Sequence, residues 1–227
     1  MTDPNEFRYE ASVLAVPEDV AQSHRDVWAL LAESGTWWPV EDVLAIAARS
    51  RAVFAQRSLA PWNRELPTLP HHLAAEVASG VDMVAGNPSG IDAEWAATHV
   101  TALGAGPYVE LVSIAATVVM VDMFAFAAGV DPAPFPAPSD TPGAPSHVVP
   151  DGLGDIGAHV PMLDPFPYAN VARALSFVPR ANVLFRTTSV PMYSAPGMSD
   201  LVWDTPLSRP QVELVATTVA ALNECFY

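Results

Sequence analysis

The chain has 227 residues, half of them apolar, a net charge of −15 and a single cysteine. That acidity argues against nucleic acid and anionic membrane as partners, and one cysteine excludes an internal disulfide framework. The apolar content is enough for a sizeable core, so disorder is not expected over most of the length. There is no lysine: all ten cations are arginines, which with the alanine excess reads as a bias of GC-rich DNA. The first residues carry Asp3, Glu6, Arg8 and Glu10 and no apolar run, so no secretory leader is expected and a reducing cytoplasm is.

Alanine and valine dominate and strand-like alternation is scarce, so an all-α fold is expected. Ser23 to Ala32 places Val27, Leu30 and Leu31 on one helical face. Val40 to Ser58 follows Trp37-Trp38-Pro39 and has acids in its first turn, as helix starts prefer. His71 to Met83 follows Pro70, and Asp92 is placed to cap a helix running to Leu103. His72 and Glu76 stand at i, i+4, but a helix start explains them better than a metal; none is expected. The remaining histidines, including His24 and His99, show no ligand spacing, and no phosphate loop, nucleophile elbow or dinucleotide fingerprint is present.

Pro107 to Ala128 reads as a long apolar helix ended by Gly129. Tyr108 to Val130 is near membrane-span length, but it contains Glu110 and Asp122. Its uncharged run, Leu111 to Val121, is only eleven residues. A span needs about twenty, so a buried core helix is expected instead. Residues 131 to 168 then hold ten prolines and scattered glycines, and read as a long extended strap over the surface. Helix is expected again from Tyr168 to Ser176, stopping at Pro179, and resuming to Thr187. Residues 189 to 207 read as loop. The last helix opens on a capping-box pattern, Ser208-Arg-Pro-Gln211, with Val212, Val215, Val219 and Leu222 at helical spacing.

That last helix repeats the long one. Pro107-Tyr-Val-Glu110-Leu-Val112 matches Pro210-Gln-Val-Glu213-Leu-Val215 in five of six positions at an offset of 103, and the register sets Asp122 opposite Cys225. Glu213 precedes Cys225 by twelve positions, and the chain closes on Cys225-Phe-Tyr227, one residue short of a Cys-x-x-Cys pair.

These residues resemble the alkylhydroperoxidase D and carboxymuconolactone decarboxylase superfamily. The resemblance is carried by 208–227, by Tyr108 to Asp122, and by Asn170-Val-Ala-Arg-Ala-Leu-Ser-Phe-Val-Pro179. It implies an alkylhydroperoxidase-like helical bundle with two pseudo-repeats. The first is 1–130, with a degenerate site; 131–168 is a Pro-rich connection; 169–227 is the second repeat, ending within the redox motif. It implies reduction of organic hydroperoxides at the expense of a thiol, without a cofactor, in a homo-oligomer. Glu213 would belong to a proton relay and Cys225 would be the resolving thiol. The attacking cysteine and the relay histidine fall at positions 228 and 232, after the last residue given. A selenocysteine at 228 and an ordinary truncation are both open there, and the 227-residue form is expected to be nearly inactive. Two other readings stay open: a non-catalytic helical scaffold that oligomerises or binds a ligand, and a lactone decarboxylase.

The chemistry explains the residue types. The thiolate, not the thiol, attacks peroxide, and a second thiol rescues the resulting sulfenic acid as a disulfide. Cys225 lies two residues from a terminal carboxylate, which disfavours a thiolate, so its pKa is expected at or above ~8.5. Twelve residues along one straight helix is about 18 Å, so Glu213 meets Cys225 only if the helix ends between them or another subunit is reached.

Overall fold

The computed structural model describes residues 7, 9–57, 72–167, 170–193, 202 and 206–222. The fold is all-α. In chain order the helices are α1 (Glu18–Leu31), α2 (Val40–Gln56), α3 (Ala75–Gly86), α4 (Ala93–Leu103), α5 (Ala105–Ala128), the single turn α6 (Asn170–Arg173), α7 (Pro179–Tyr193) and α8 (Arg209–Leu222).

Helix α5 is the axis of the bundle, with α2, α3, α4 and α7 packed around it and α1 packed chiefly on α7 and also touching α5 and α2. Its buried residues point in every direction, from Leu111 and Ile114 to Val109, Val118 and Val121, as a helix apolar all round requires. It is the one described helix long and apolar enough to cross a membrane; here it is sheathed by other helices. The main core joins Val27, Trp28 and Leu31 of α1 to Val43 and Ile46 of α2, Val81 of α3, Leu111 to Val121 of α5 and Leu184 of α7. Helix α7, from segment 169–227, therefore shares this core with elements of segment 1–130.

Local signals set the helix ends. Asp92 caps α4 by accepting from the Trp95 N–H at 2.8 Å. Gly129 closes α5 in the left-handed region, at φ 71°, where a side chain would be strained. At α8 the Gln211 side chain reaches back to the Ser208 N–H at 2.8 Å, half of the expected capping box. The Ser208 hydroxyl donates to the same oxygen rather than capping the next turn.

Four expectations are corrected. Pro179 does not stop a helix but begins one, since proline fits the first helical position, where no N–H is needed. The helix expected over 168–176 is one turn, and the chain breaks at Leu175, whose φ is 66°. Helix α7 continues to Tyr193, so 189–193 are helical, with Pro191 in the last turn. Helix α3 begins at Ala75, four residues after its expected start; His71 lies outside the described residues.

The Pro-rich strap is extended and laced to the α1–α2 loop. Ser34 donates from its N–H to Pro142 and from its hydroxyl to Gly143, Ser139 N–H reaches Ala32, and His147 N–H reaches Thr36 at 2.8 Å. Phe135 stacks on Trp28, whose indole N–H donates to the Pro134 carbonyl. A short antiparallel pair, β1 (Leu153–Gly154) with β2 (Met162–Leu163), interrupts the strap.

Candidate functional site

Glu213 lies in the second turn of α8, its side chain 43% exposed and 3.4 Å from Arg209 one turn earlier. No described residue of α8 is buried. Helix α8 is described as far as Leu222, and Cys225 lies outside the described residues. The structure thus places one of the two expected site residues and leaves its partner unplaced.

The repeat counterparts of these residues sit in quite different surroundings. Glu110, 3% exposed, accepts backbone N–H groups from three successive residues of the α1–α2 loop. Thr36 and Trp37 each lie at 2.7 Å and Trp38 at 3.3 Å. Gly35 is required beside it, because a Cβ there would come within 2.5 Å of the carboxylate. Arg180 lies close enough for the charges to interact, though burial lowers its pKa. Its guanidinium donates to the Leu30 carbonyl at 2.6 Å. The cavity beside Glu110 is about 10 Å3, the size for one water and too small for a substrate. Glu110 is therefore a tie between α5 and the loop.

Asp122, 1% exposed, is gripped by Arg51 through two bonds of 2.8 and 2.9 Å. Burial raises its carboxyl above the ordinary range, and the Arg51 bonds and charge act in the opposite sense. Arg51 lies 3.9 Å from the Phe135 ring centre and 5.9 Å from that of Trp28, so the pair is roofed by aromatic rings. Glu110 and Asp122 occupy one unbroken helix at twelve-residue separation, about 18 Å apart along its axis. They do not form a joint site.

Beside Asp122, half-buried Tyr9 and buried His24 form a polar pair, with 2.5 Å between the phenol oxygen and Nδ1. Nε2 lies 3.3 Å from the Met192 sulfur. Sulfur is a weak acceptor, so Nε2 carries the proton and the Tyr9 hydroxyl donates to Nδ1. Burial, and then the Asp122 charge, pushes the Tyr9 hydroxyl up. Burial alone pushes His24, which is fully enclosed, down to about 4 from 6.5. The unfolded chain therefore binds a proton at His24 that the folded chain refuses between pH 6.5 and about 4. Stability must fall as pH drops through that window, by about 3 kcal/mol in full. Asp122, with its raised carboxyl, contributes with the opposite sign. Urea titrations from pH 7 to pH 4 check this: His24→Phe removes the His24 part of the acid loss.

Two open grooves stand out among the described residues. One of about 250 Å3 is lined by Arg49, Ser79, Asp82, Met83 and Trp95, between α2, α3 and α4. The other, about 480 Å3, runs between α1 and α7 and includes Asp19, Asp26 and Arg186. Among the described residues no group of three His, Cys, Asp or Glu side chains is placed to hold a metal.

No family model matches this chain, and neither does any curated protein or solved structure.

Proposed function

We propose a peroxide-reducing enzyme in which Glu213 handles the proton and Cys225 is the resolving thiol for an attacking residue at 228; in the 227-residue form Cys225 itself stands in as a slow attacker. The observation that carries the reading is the Glu-x11-Cys spacing between Glu213 and Cys225. Helix α8 holds Glu213 half-exposed, where its carboxylate is open to solvent. The thiolate attacks one peroxide oxygen and becomes a sulfenic acid, while the alcohol leaves with the proton. Two equivalents of an external thiol then return the cysteine and release a disulfide and water. Within the 227-residue form Cys225 has no second cysteine, so turnover of that form is slow and proportional to added thiol.

The test is cumene hydroperoxide consumption with dithiothreitol as donor. Cys225→Ser abolishes consumption above the buffer rate, and Glu213→Gln lowers it about a hundredfold, the lower end of the range for a lost proton-transfer group. Consumption unchanged by Cys225→Ser would refute the reading.

A second reading, a self-associating helical scaffold, has one observation in its favour: α8 exposes Leu214 and Val215, at 68% and 59%. Sedimentation velocity of wild type against Leu214→Glu distinguishes it. A sedimentation coefficient unaltered by the substitution argues against association through α8.

A further inference from the structure

We propose that Ser79 is a second nucleophile, activated by His99, and that the groove in front of it takes small neutral esters. His99 is buried on α4, and each ring nitrogen has one partner. Nδ1 lies 3.0 Å from the Trp95 carbonyl, and Nε2 lies 3.3 Å from the Ser79 hydroxyl. A carbonyl only accepts, so Nδ1 carries the proton and Nε2 presents a lone pair. The Ser79 hydroxyl must therefore donate to Nε2. This is the order of nucleophile, base and orienting acceptor that activates a serine. The Trp95 ring stacks on the imidazole with 3.8 Å between centres, which fixes its plane.

Among the described helix hydroxyls, Ser113 also crosses to another helix, but to the Ala181 carbonyl rather than to a base. Ser50, Thr98, Thr101, Thr188 and Thr218 all bond back to a carbonyl one turn earlier in their own helices. Ser79 instead reaches across from α3 to α4, and it is exposed while its base is buried. It opens into the groove of about 250 Å3, below the ordinary range for drug-sized ligands, so the substrate is small. Ala75, Ala78, Met83 and Trp95 give that groove apolar walls. Its cation, Arg49, is neutralised by Asp82 through bonds of 2.7 and 2.6 Å, so no anionic group is demanded. A short-chain acyl ester fits.

In the reaction, Ser79 Oγ bonds to the acyl carbon and its proton passes to His99 Nε2. The bond to the leaving oxygen breaks, and that oxygen takes the proton. Water then repeats the sequence on the acyl-serine, releasing a carboxylic acid and the free hydroxyl.

The experiment treats the Cys225→Ser protein with a fluorophosphonate probe and maps the adduct by peptide mass spectrometry. The serine background removes competing thiol chemistry and separates this proposal from the peroxide reading. The expected result is one adduct, on Ser79, lost on heat denaturation and reduced at least tenfold in Ser79→Ala, with p-nitrophenyl butyrate giving a burst of one equivalent. Ser79 is exposed, so Ser79→Ala should keep the wild-type melting curve. No adduct on Ser79 in the native protein, or equal labelling of Ser79→Ala, overturns the proposal.

Discussion

Glu110→Ala lowers the unfolding free energy by about 4 kcal/mol, the larger end of what a single substitution does. The reason is geometric. Three consecutive N–H groups, of Thr36, Trp37 and Trp38, converge on this one side chain, and nothing else in the α1–α2 loop replaces it. Each donor left without a partner costs about 1–3 kcal/mol when buried, and water entering the opened space recovers part of that. Glu110→Gln should cost about half as much, because the amide still accepts through one oxygen but turns a donor towards a donor. The loss should spread to the strap. Its residues Ser139, Pro142, Gly143 and His147 bond to the same loop, at Ala32, Ser34 and Thr36. Guanidinium unfolding measures the first effect. Proteolysis between residues 131 and 150, faster in Glu110→Ala than in wild type, measures the second.

Arg51→Ala is the second large effect, about 3–5 kcal/mol at pH 7. Asp122 stays buried after the change and loses Arg51, its ion-pair partner. Its carboxyl is already held up by burial, so it will answer by taking a proton. The sign follows from linkage. The folded variant binds a proton at Asp122 that the unfolded chain releases above its ordinary value of 3.8. Stability then falls as pH rises from there, and the penalty shrinks in acid. Wild type, held by Arg51, shows this less. Replacing both partners, Arg51→Leu with Asp122→Leu, should recover most of the loss, since a buried pair exchanged for packed apolar groups is often neutral or better. Chemical unfolding of the two single variants and the double variant at pH 5 and pH 7 tests all three statements. A single-variant penalty that does not change with pH would contradict the account of Asp122.

What was legible in the chain was local. The apolar run of α5, its closing Gly129 and the Asp92 cap are each set by a few adjacent residues, and each stands as expected. The extended strap followed from its prolines. Pro179 was misleading because proline ends a helix behind it and begins one ahead of it with equal ease; only the packing of α7 on α5 and α1 decides. The polar pairs were hidden for a different reason. Tyr9 meets His24 across 15 positions, Ser79 meets His99 across 20, and Arg51 meets Asp122 across 71. Nothing in a spacing rule links residues so far apart. Glu110 was visible as the counterpart of Glu213, yet its role comes from a loop more than 70 positions away. Of the expected redox pair, Glu213 is placed on α8, and Cys225 falls outside the described residues.

The most direct test of the peroxide reading compares two proteins in one assay. The first is the 227-residue chain. The second carries five further residues, with cysteine at 228 and histidine at 232. Cumene hydroperoxide reduction is followed under single-turnover conditions, with sulfenic acid trapped by dimedone. The account predicts at least a hundredfold faster reduction in the longer chain, a disulfide joining 225 to 228, and a loss of that gain in Glu213→Gln. Equal rates in the two chains, with no disulfide formed, would contradict it.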